Sequence, residues 1–242
     1  LRLRKPDCVL DSRGSIGQQL AATMIGVEQY ITEFKPDAVL VLGDTNSGLS
    51  AIVCERMGMP VFHMEAGNRC YDMLVPEEKN RRLIDSISTY NLPYTELSRQ
   101  NLLREGALNN RVFVTGNPIL EVIEYYKQQI DASDILKQLG LDHTKYIIAT
   151  AHRAENVDNP ERLQNIFSAF ETIAQEQTIV FSCHPKTRQR LQSLGMHTSE
   201  RVKLIDPVGF FDFVKLEQNS YMAISDSGTV QEEMCLFNIP TV

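Results

Sequence analysis

The segment from His63 to Arg81, HMEAGNRCYDMLVPEEKNR, concentrates side chains that could move protons. It combines one histidine and one cysteine with several carboxylates and several cationic side chains. Carboxylates crowded at a cleft of low dielectric raise one another's pKa, so that one of them can act as an acid or base near neutral pH. Proton transfer on a bound substrate is therefore the chemistry that this segment favours.

A metal site is the main alternative for the same segment. His63 and Glu65 are two residues apart on a predicted strand, so their side chains would face the same side. The sequence has no HExxH motif, no second histidine nearby and no Asp-rich cation loop. We therefore expect no metal and no cofactor, and we expect His63 to support the end of its strand.

Composition narrows the class of protein. The chain has 242 residues, of which 43% are hydrophobic, and a net charge of -7, which disfavours nucleic acid as a partner. No apolar run approaches the roughly 20 residues that a membrane span requires. The five cysteines are odd in number and lack a CxxC pair, which favours buried free thiols in the reducing cytoplasm.

Apolar runs alternate with helical patterns along the chain, which predicts an α/β fold with parallel strands. The run from Ala38 to Leu42 predicts a strand buried on both faces, a helix closed by Gly58 follows, and MPVFHM predicts the next strand. RVFVTGNP predicts a further short strand. The alternation restarts after DASDILKQLGLDHT, so we expect two domains, residues 1–120 and residues 121–242.

Polar side chains fall where the predicted strands end, which is where open parallel sheets bind ligands. The first domain carries Asp44 and Glu65 at these positions. The second domain carries the following residues there: His152, Arg153, His184, Asp206, Asp226, Ser227 and Gly228. Ordinary helix capping would explain Asp206 and could also explain Asp44, but histidine is not a favoured cap. The pattern predicts a functional cleft.

In SDSGTVQEE a strand runs into a glycine-containing turn and then a helix. A diphosphate could bind the amides of Ser227, Gly228 and Thr229 at the positive end of this helix. Glu232 or Glu233, one turn further on, could accept hydrogen bonds from ribose hydroxyls. The alternative is that the same residues merely cap the helix.

Asp44 and Glu65 end consecutive strands that are expected to lie side by side, so their carboxylates would share one crevice. Glu77 and Glu78 fall in the first turn of a helix that begins near Pro76, where negative charge is favoured. A capped helix with an acidic first turn explains Glu78, but it does not explain the carboxylates at the strand ends.

Together these motifs resemble a known family. GDTNS, HMEAGNR, VPEEKNR, SRQNLLREG, TGNPI, TAHRAENVDN and SDSGTVQEE occur in the order typical of non-hydrolysing UDP-N-acetylglucosamine 2-epimerases. The resemblance implies two Rossmann-like domains in the GT-B arrangement, with a UDP-sugar in the cleft between them. The chain starts without methionine and stops after IPTV. Compared with the family it lacks a first strand and a C-terminal segment, so both domains are expected to be incomplete.

The resemblance also implies a reaction and the residues that perform it. The family inverts C2 of a UDP-2-acetamido sugar by eliminating UDP and adding it back. Its catalytic residues correspond to Asp44, Glu65, Glu77 and His152. Its substrate-binding residues correspond to Asn80, Arg81, Arg153, Phe213, Ser227, Gly228 and Glu233, and His184 matches an allosteric UDP-sugar position of some bacterial members.

Several alternatives stay open at this point. A GT-B glycosyltransferase would share the fold, although it would not need three carboxylates in the first domain. A non-catalytic UDP-sugar-binding module and a hydrolysing epimerase are the others. The sequence GNRCYD differs from the family's common GLRTGD and is similar to relatives that act on deoxy or diacetamido sugars. The family suggests a homodimer.

Overall fold

The computed structural model describes residues 4–242, with residue 154 described by its backbone only. The chain divides into two compact units, of which the first ends at Asn117 and the second begins at Pro118. Each unit contains a parallel sheet accompanied by helices. The predicted α/β class is therefore confirmed. None of the described helices is both long and apolar enough to cross a membrane.

The first unit has a three-stranded sheet in the order β1-β2-β3. Leu42 of β1 pairs with Met64 of β2, which pairs in turn with Leu92 of β3, so the three strands end level with one another. Its elements in chain order are α1 (Ile16–Phe34), β1 (Val39–Leu42), a 3-10 helix (Asn46–Ser50), α2 (Ala51–Arg56), β2 (Val61–Met64), α3 (Pro76–Ile87), β3 (Tyr90–Leu92), α4 (Glu96–Arg104) and a second 3-10 helix (Asn109–Arg111).

The second unit has a four-stranded parallel sheet in the order β6-β5-β4-β7. Its elements in chain order are α5 (Ile119–Tyr125), α6 (Lys127–Asp131), α7 (Ile135–Gln138), β4 (Tyr146–Thr150), α8 (Ala154–Val157), α9 (Pro160–Ile173), β5 (Thr178–Ser182), α10 (Pro185–Ser193), β6 (Val202–Ile205), α11 (Phe210–Gln218), β7 (Met222–Ser225) and α12 (Gly228–Leu236). The strand–turn–helix predicted at SDSGTVQEE is thus present as β7 and α12.

The central strands of the second sheet are apolar because helices cover them on both faces. Residues 146–149 of β4 are all buried. Ile147 belongs to the core cluster that contains Phe167, Phe170 and Phe181, whereas Ile148 belongs to a second cluster with Leu216. Alternate residues of one strand therefore enter two separate apolar layers, which is the pattern of a doubly covered parallel sheet.

Two predictions about the first sheet are wrong. Leu40 and Leu42 are 62% and 59% exposed while Val41 is buried, so β1 is covered on one face only by the described residues. The predicted strand at RVFV is reduced to a single bridge between Asn91 and Val112. Both segments lie at edges of the sheet, where no described strand on the outer side completes their pairing.

Gly67 follows β2 and lies closely packed between α3 and α4. Its amide donates to the Asp85 carboxylate at 3.2 Å, and its carbonyl accepts from Asn101 Nδ2 at 3.0 Å. Its φ is +79°, and a Cβ added there would lie 2.2 Å from the Ser98 carbonyl oxygen. Only glycine fits, both because of its backbone conformation and because of the space.

We expect Gly67→Ala to lower the free energy of unfolding by about 3 kcal/mol or more, because the methyl group collides with backbone. The matched control is Gly58→Ala, since Gly58 has the same φ of +79° but nothing within 4 Å of an added Cβ. That control should cost only about 1 kcal/mol, the penalty for a left-handed residue. Urea unfolding followed by circular dichroism measures both, and equal losses would contradict the steric explanation.

Candidate functional site

Two of the predicted carboxylates of the first unit, Asp44 and Glu65, follow the carboxyl ends of the neighbouring strands β1 and β2. The Gly43 amide donates to the Met64 carbonyl at 3.1 Å, and the Glu65 amide donates to the Leu92 carbonyl at 3.2 Å. The chain then turns out of the sheet with positive φ at both Gly43 and Glu65. A Cβ at residue 43 would lie 3.2 Å from Glu65 Oε2, so the glycine makes room for this carboxylate one residue before Asp44.

The third element of this group is α3, which begins at Pro76 as predicted. Proline is favoured in the first turn because its missing N–H has no helical partner there. Arg81 Nε donates to Asp44 Oδ2 at 3.1 Å, and Asn80 Nδ2 donates to the Asp44 carbonyl oxygen at 2.9 Å. These contacts bring together Asp44, Asn80 and Arg81, whereas Glu77 is exposed in the first turn of the same helix.

The interpretation of Glu78 as a simple acidic cap is wrong. Glu78 is fully buried and accepts from the Cys70 amide at 3.0 Å, from Arg82 Nε at 2.9 Å and from Arg81 at 3.2 Å. Burial alone would raise the pKa of Glu78, but these hydrogen bonds and the charge of Arg81 outweigh it and lower the pKa. Glu78 therefore fixes the guanidinium that binds Asp44.

A buried ion network lies beneath these residues. Asp85 accepts from His63 Nδ1 at 2.8 Å and from Arg69 at 2.8 Å, and Arg69 also binds both oxygens of Glu105 at 2.9 and 2.6 Å. The side chains of His63 and Arg69 are fully buried. Burial would lower the pKa of Arg69, but the two carboxylates raise it well above its usual value. His63 Nε2 also lies 3.0 Å from the Gly43 carbonyl oxygen, so the network links the end of β1 to α3.

In the second unit, Asp226 organises the loop after β4. Its carboxylate accepts from the amides of His152 and Arg153 at 3.1 and 3.0 Å and from Asn156 Nδ2 at 3.0 Å. It also lies 3.0 Å from His152 Nδ1, while Arg153 Nε donates to its carbonyl oxygen at 2.7 Å. The His152 side chain is 58% exposed, so the loop is fixed while the ring remains accessible.

Four of the predicted site residues of the second unit, one catalytic and three substrate-binding, line one cavity of about 260 Å³. They are His152, His184, Phe213 and Ser227. This cavity opens at the carboxyl ends of β4 and β5, where Thr150 and Ser182 also line it. The strand-end rule therefore locates the same residues that the motifs select.

Two details differ from the expectation for this cavity. His184 does cap a helix, because its Nδ1 accepts from the Lys186 amide at 3.2 Å at the start of α10. The Ser227 amide, expected to face a diphosphate, donates to the Ser225 hydroxyl at 3.0 Å. No side-chain cap covers the start of α12 in the described structure, and an added Cβ at Gly228 would meet nothing within 4 Å. The amides after Ser227 are therefore the better anion donors.

Glu233, predicted to bind ribose, is 6% exposed on α12 and lies beside the buried Glu217 of α11. The structure does not place it among the described residues that line the cavity. A larger cavity of about 440 Å³ lies in the first unit, between α3 and α4. None of the site residues predicted from the sequence lines it. Within residues 4–242, no group of three His, Cys, Asp or Glu side chains is arranged to hold a metal ion.

Sequence reasoning missed Glu78 as the residue that holds Arg81, and it missed what Asp226 and Asp85 bind. The spacing of Glu78 to Arg81 and Arg82, three and four residues apart on a helix, was a usable signal. Asp226 and Asp85 bind residues 74 and 22 positions away in the chain, and no local pattern indicates such partners.

The parallel sheets accompanied by helices define a Rossmann-like α/β protein, a class whose ligands bind at the carboxyl edges of the sheets. The sequence profile of the UDP-N-acetylglucosamine 2-epimerase family matches residues 1–242. The chain is 38% identical, over 95% of its own length and 65% of the relative's, to the UDP-N-acetylglucosamine 2-epimerase of Methanocaldococcus jannaschii. It is 35% identical, over 100% of its length and 68% of the relative's, to the UDP-2,3-diacetamido-2,3-dideoxy-D-glucuronate 2-epimerase of Pseudomonas aeruginosa.

A solved structure of the Methanocaldococcus jannaschii UDP-GlcNAc 2-epimerase, in complex with UDP-GlcNAc and UDP, matches with a TM-score of 0.88 and 38% identity. The match covers 99% of this chain and 68% of that one. The chain belongs to the UDP-N-acetylglucosamine 2-epimerase family, and the resemblance identified from the motifs is confirmed. It spans about two thirds of the length of these relatives.

We expect Arg69→Met to lower the free energy of unfolding by about 3 kcal/mol, because it leaves the buried Asp85 without its guanidinium. Arg104→Met makes the same chemical change at an exposed position in the same unit and should cost no more than about 0.5 kcal/mol. Urea unfolding at neutral pH measures both variants. A loss for Arg69→Met as small as that of the control would show that the network contributes little.

Proposed function

We propose that this chain acts in an epimerase that inverts C2 of a UDP-2-acetamido sugar. The observation that carries the proposal is the convergence of Asp44 and Glu65 at neighbouring strand ends, with Arg81 bound to Asp44. Inversion at a carbon that bears hydrogen requires one group that removes the proton and another that returns it to the opposite face. We assign these two roles to carboxylates among Asp44 and Glu65 at the sheet edge and Glu77 in the first turn of α3.

The family resemblance implies the reaction, and we assign its steps to these groups. A carboxylate among Asp44, Glu65 and Glu77 takes the proton from C2, the electron pair forms a C1–C2 double bond, and the C1–oxygen bond to UDP breaks. A second carboxylate of the set then gives a proton to C2 from the other face, while the UDP oxygen attacks C1 again. The charge that develops on the leaving diphosphate needs cationic or hydrogen-bonding groups, and we assign that role to His152 and Arg153.

The second unit supplies the UDP site in this proposal. Phe213, which lines the cavity of about 260 Å³, offers an apolar surface for uracil. The uncapped start of α12 at Gly228 offers amides and a positive helix dipole to the diphosphate. Glu233 accepts from the ribose hydroxyls. His184, which also lines the cavity, is proposed as a UDP-sugar contact. Asn80 and Arg81 are proposed contacts of the sugar or diphosphate.

The names of two relatives, which contain UDP-N-acetylglucosamine and a UDP-diacetamido uronate, support a UDP-2-acetamido sugar as the substrate class. We propose that the sugar is distinguished by Tyr71 and Asp72 in GNRCYD. Arg69 is buried in the ion network, whereas Tyr71 is 66% exposed. The division into an N-terminal domain and a C-terminal UDP-binding domain near residue 120, a homodimer and a cytoplasmic location complete the proposal.

Exchange of the C2 proton in deuterated water tests the activity directly. We expect UDP-GlcNAc or a UDP-diacetamido sugar to gain deuterium at C2 without any acceptor sugar. Glu65→Gln and Glu77→Gln should each slow this exchange by about 100-fold or more, because acid–base groups contribute on that scale, while UDP binding is preserved. Mass spectrometry of the recovered nucleotide sugar measures the exchange.

The matched control is Glu96→Gln, since Glu96 occupies the first turn of α4 as Glu77 does in α3. Its exchange rate should equal that of the wild type. Wild-type exchange in Glu65→Gln and Glu77→Gln would refute their assignment. Free N-acetylmannosamine together with UDP would indicate a hydrolysing enzyme, and UDP binding without exchange of any sugar would indicate a binding module.

Glu233→Ala tests the UDP site separately. We expect the dissociation constant for UDP to rise about tenfold, because two hydrogen bonds to ribose are lost. Exchange at saturating substrate should change much less. Isothermal titration with UDP measures the affinity, with Glu161→Ala, an exposed residue of α9, as the control. Unchanged affinity in Glu233→Ala would remove it from the site.

A further inference from the structure

Two glutamates face each other between α11 and α12. Glu217 is 0% exposed and Glu233 is 6% exposed, and their carboxyl groups lie close enough to share a hydrogen bond. In the part of the chain that the structure describes, neither oxygen of Glu217 has a donor among the other side chains or the backbone. Such a carboxylate would be a buried charge without a partner, which is among the costliest arrangements in a protein.

A single proton shared by the two glutamates removes the cost of a buried, unpaired charge. If Glu217 carries it, its hydroxyl donates to Glu233, and the pair holds one negative charge instead of two. Burial, together with the charge of Glu233, raises the pKa of Glu217 to about 9, while the pKa of Glu233 is also raised, by burial first. Both Glu217 oxygens lack any other partner among the described residues, so we assign the proton to Glu217 and the acceptor role to Glu233.

Other titratable groups near α11 have their own partners. Tyr146 donates its hydroxyl to the Leu216 carbonyl at 2.6 Å, and Lys215 donates to the Asp131 carbonyl at 3.4 Å. Two exposed ion pairs lie nearby, Lys127 with Asp131 and Lys137 with Asp134, and Asp212 of α11 accepts from the Ser133 hydroxyl. The charge of Glu232 raises the pKa of Glu233, after burial. Among the described residues, Glu233 is the charged group that acts on Glu217.

We propose that Glu217 is a positioning residue of the UDP site, whose protonated carboxyl group holds Glu233 in the orientation that accepts the ribose hydroxyls. This inference rests on the proposed function for the role of Glu233, but the shared proton does not depend on it. The bond to Glu217 uses one acceptor position of Glu233 and leaves the others for ribose. When Glu217 loses its proton, two buried carboxylates repel each other and Glu233 can no longer keep that orientation.

The shared proton also makes the free energy of unfolding depend on pH, in a defined direction. The folded state retains a proton on Glu217 that an unfolded glutamate releases near its ordinary pKa. Between the unfolded pKa and about 9, the folded state therefore binds more protons, and the free energy of unfolding falls as the pH rises. Glu217→Gln removes this contribution, since its amide donates to Glu233 but does not titrate.

The test compares the full chain with its Glu217→Gln and Glu217→Leu variants by UDP titration from pH 6.5 to pH 10. Between pH 7 and pH 10, the dissociation constant of the wild type should rise about tenfold more than that of Glu217→Gln, because a charge-assisted hydrogen bond is lost. The uracil ring of UDP also loses a proton in this range, which affects all variants alike. Glu217→Gln should bind like the wild type at pH 7, whereas Glu217→Leu should bind about tenfold more weakly.

Urea unfolding of the same proteins across this range supplies a readout without ligand, and Glu161→Gln, at an exposed position, is the control for both measurements. The wild type and the control should lose stability with rising pH more steeply than Glu217→Gln. Equal slopes of the free energy of unfolding against pH in the wild type and Glu217→Gln would overturn the proposal that the two glutamates share a proton. Different slopes with identical pH dependence of UDP binding would overturn the positioning role. Failure of the wild type to bind UDP at any pH would overturn the proposed function. The pH dependence of unfolding would still show whether the two glutamates share a proton.

Discussion

The architecture of the first unit depends on one carboxylate, that of Asp85. It accepts hydrogen bonds from a buried histidine, a buried arginine and the amide of Gly67, and these three donors come from the chain after β2 or from β2 itself. Asp85 itself belongs to α3, the helix that presents Asn80 and Arg81 to Asp44. A single buried anion thereby sets the distance between the strand end and the helix on which the acidic group depends. Removing any one donor would leave a charge that the interior cannot solvate.

In the second unit a different aspartate, Asp226, also positions residues of the candidate site. Asp226 binds backbone amides rather than buried side chains, so it shapes the loop that carries His152 and Arg153 while leaving the ring of His152 accessible. Asp85 joins buried segments of a packed layer, whereas Asp226 orders a surface loop. Both are aspartates near a sheet edge, where unpaired amides and cations of a neighbouring segment are within reach.

Much of this organisation can be predicted from the sequence. The periodicity predicts β1, β2, β4 and β5, and the strand-end rule selects Asp44, Glu65, His152 and His184 from residue types and positions alone. What the sequence does not reveal is tertiary in origin. The spacing of Glu78 to Arg81 and Arg82 indicates local ion pairs on the helix, but the burial of Glu78 depends on the packing of the segment around Cys70. The apolar run that contains Leu40 and Leu42 predicts burial of both faces of β1. Whether the second face is covered depends on neighbouring elements that the local sequence does not specify.

The cap at His184 has a chemical consequence for whatever enters the neighbouring cavity. While Nδ1 accepts the Lys186 amide, the single proton of the neutral imidazole must reside on Nε2. The helix start therefore selects one of the two tautomers. His184 also lines the cavity, so its remaining N–H is a hydrogen-bond donor beside that cavity, which suits an oxygen-rich ligand more than one that offers only N–H groups.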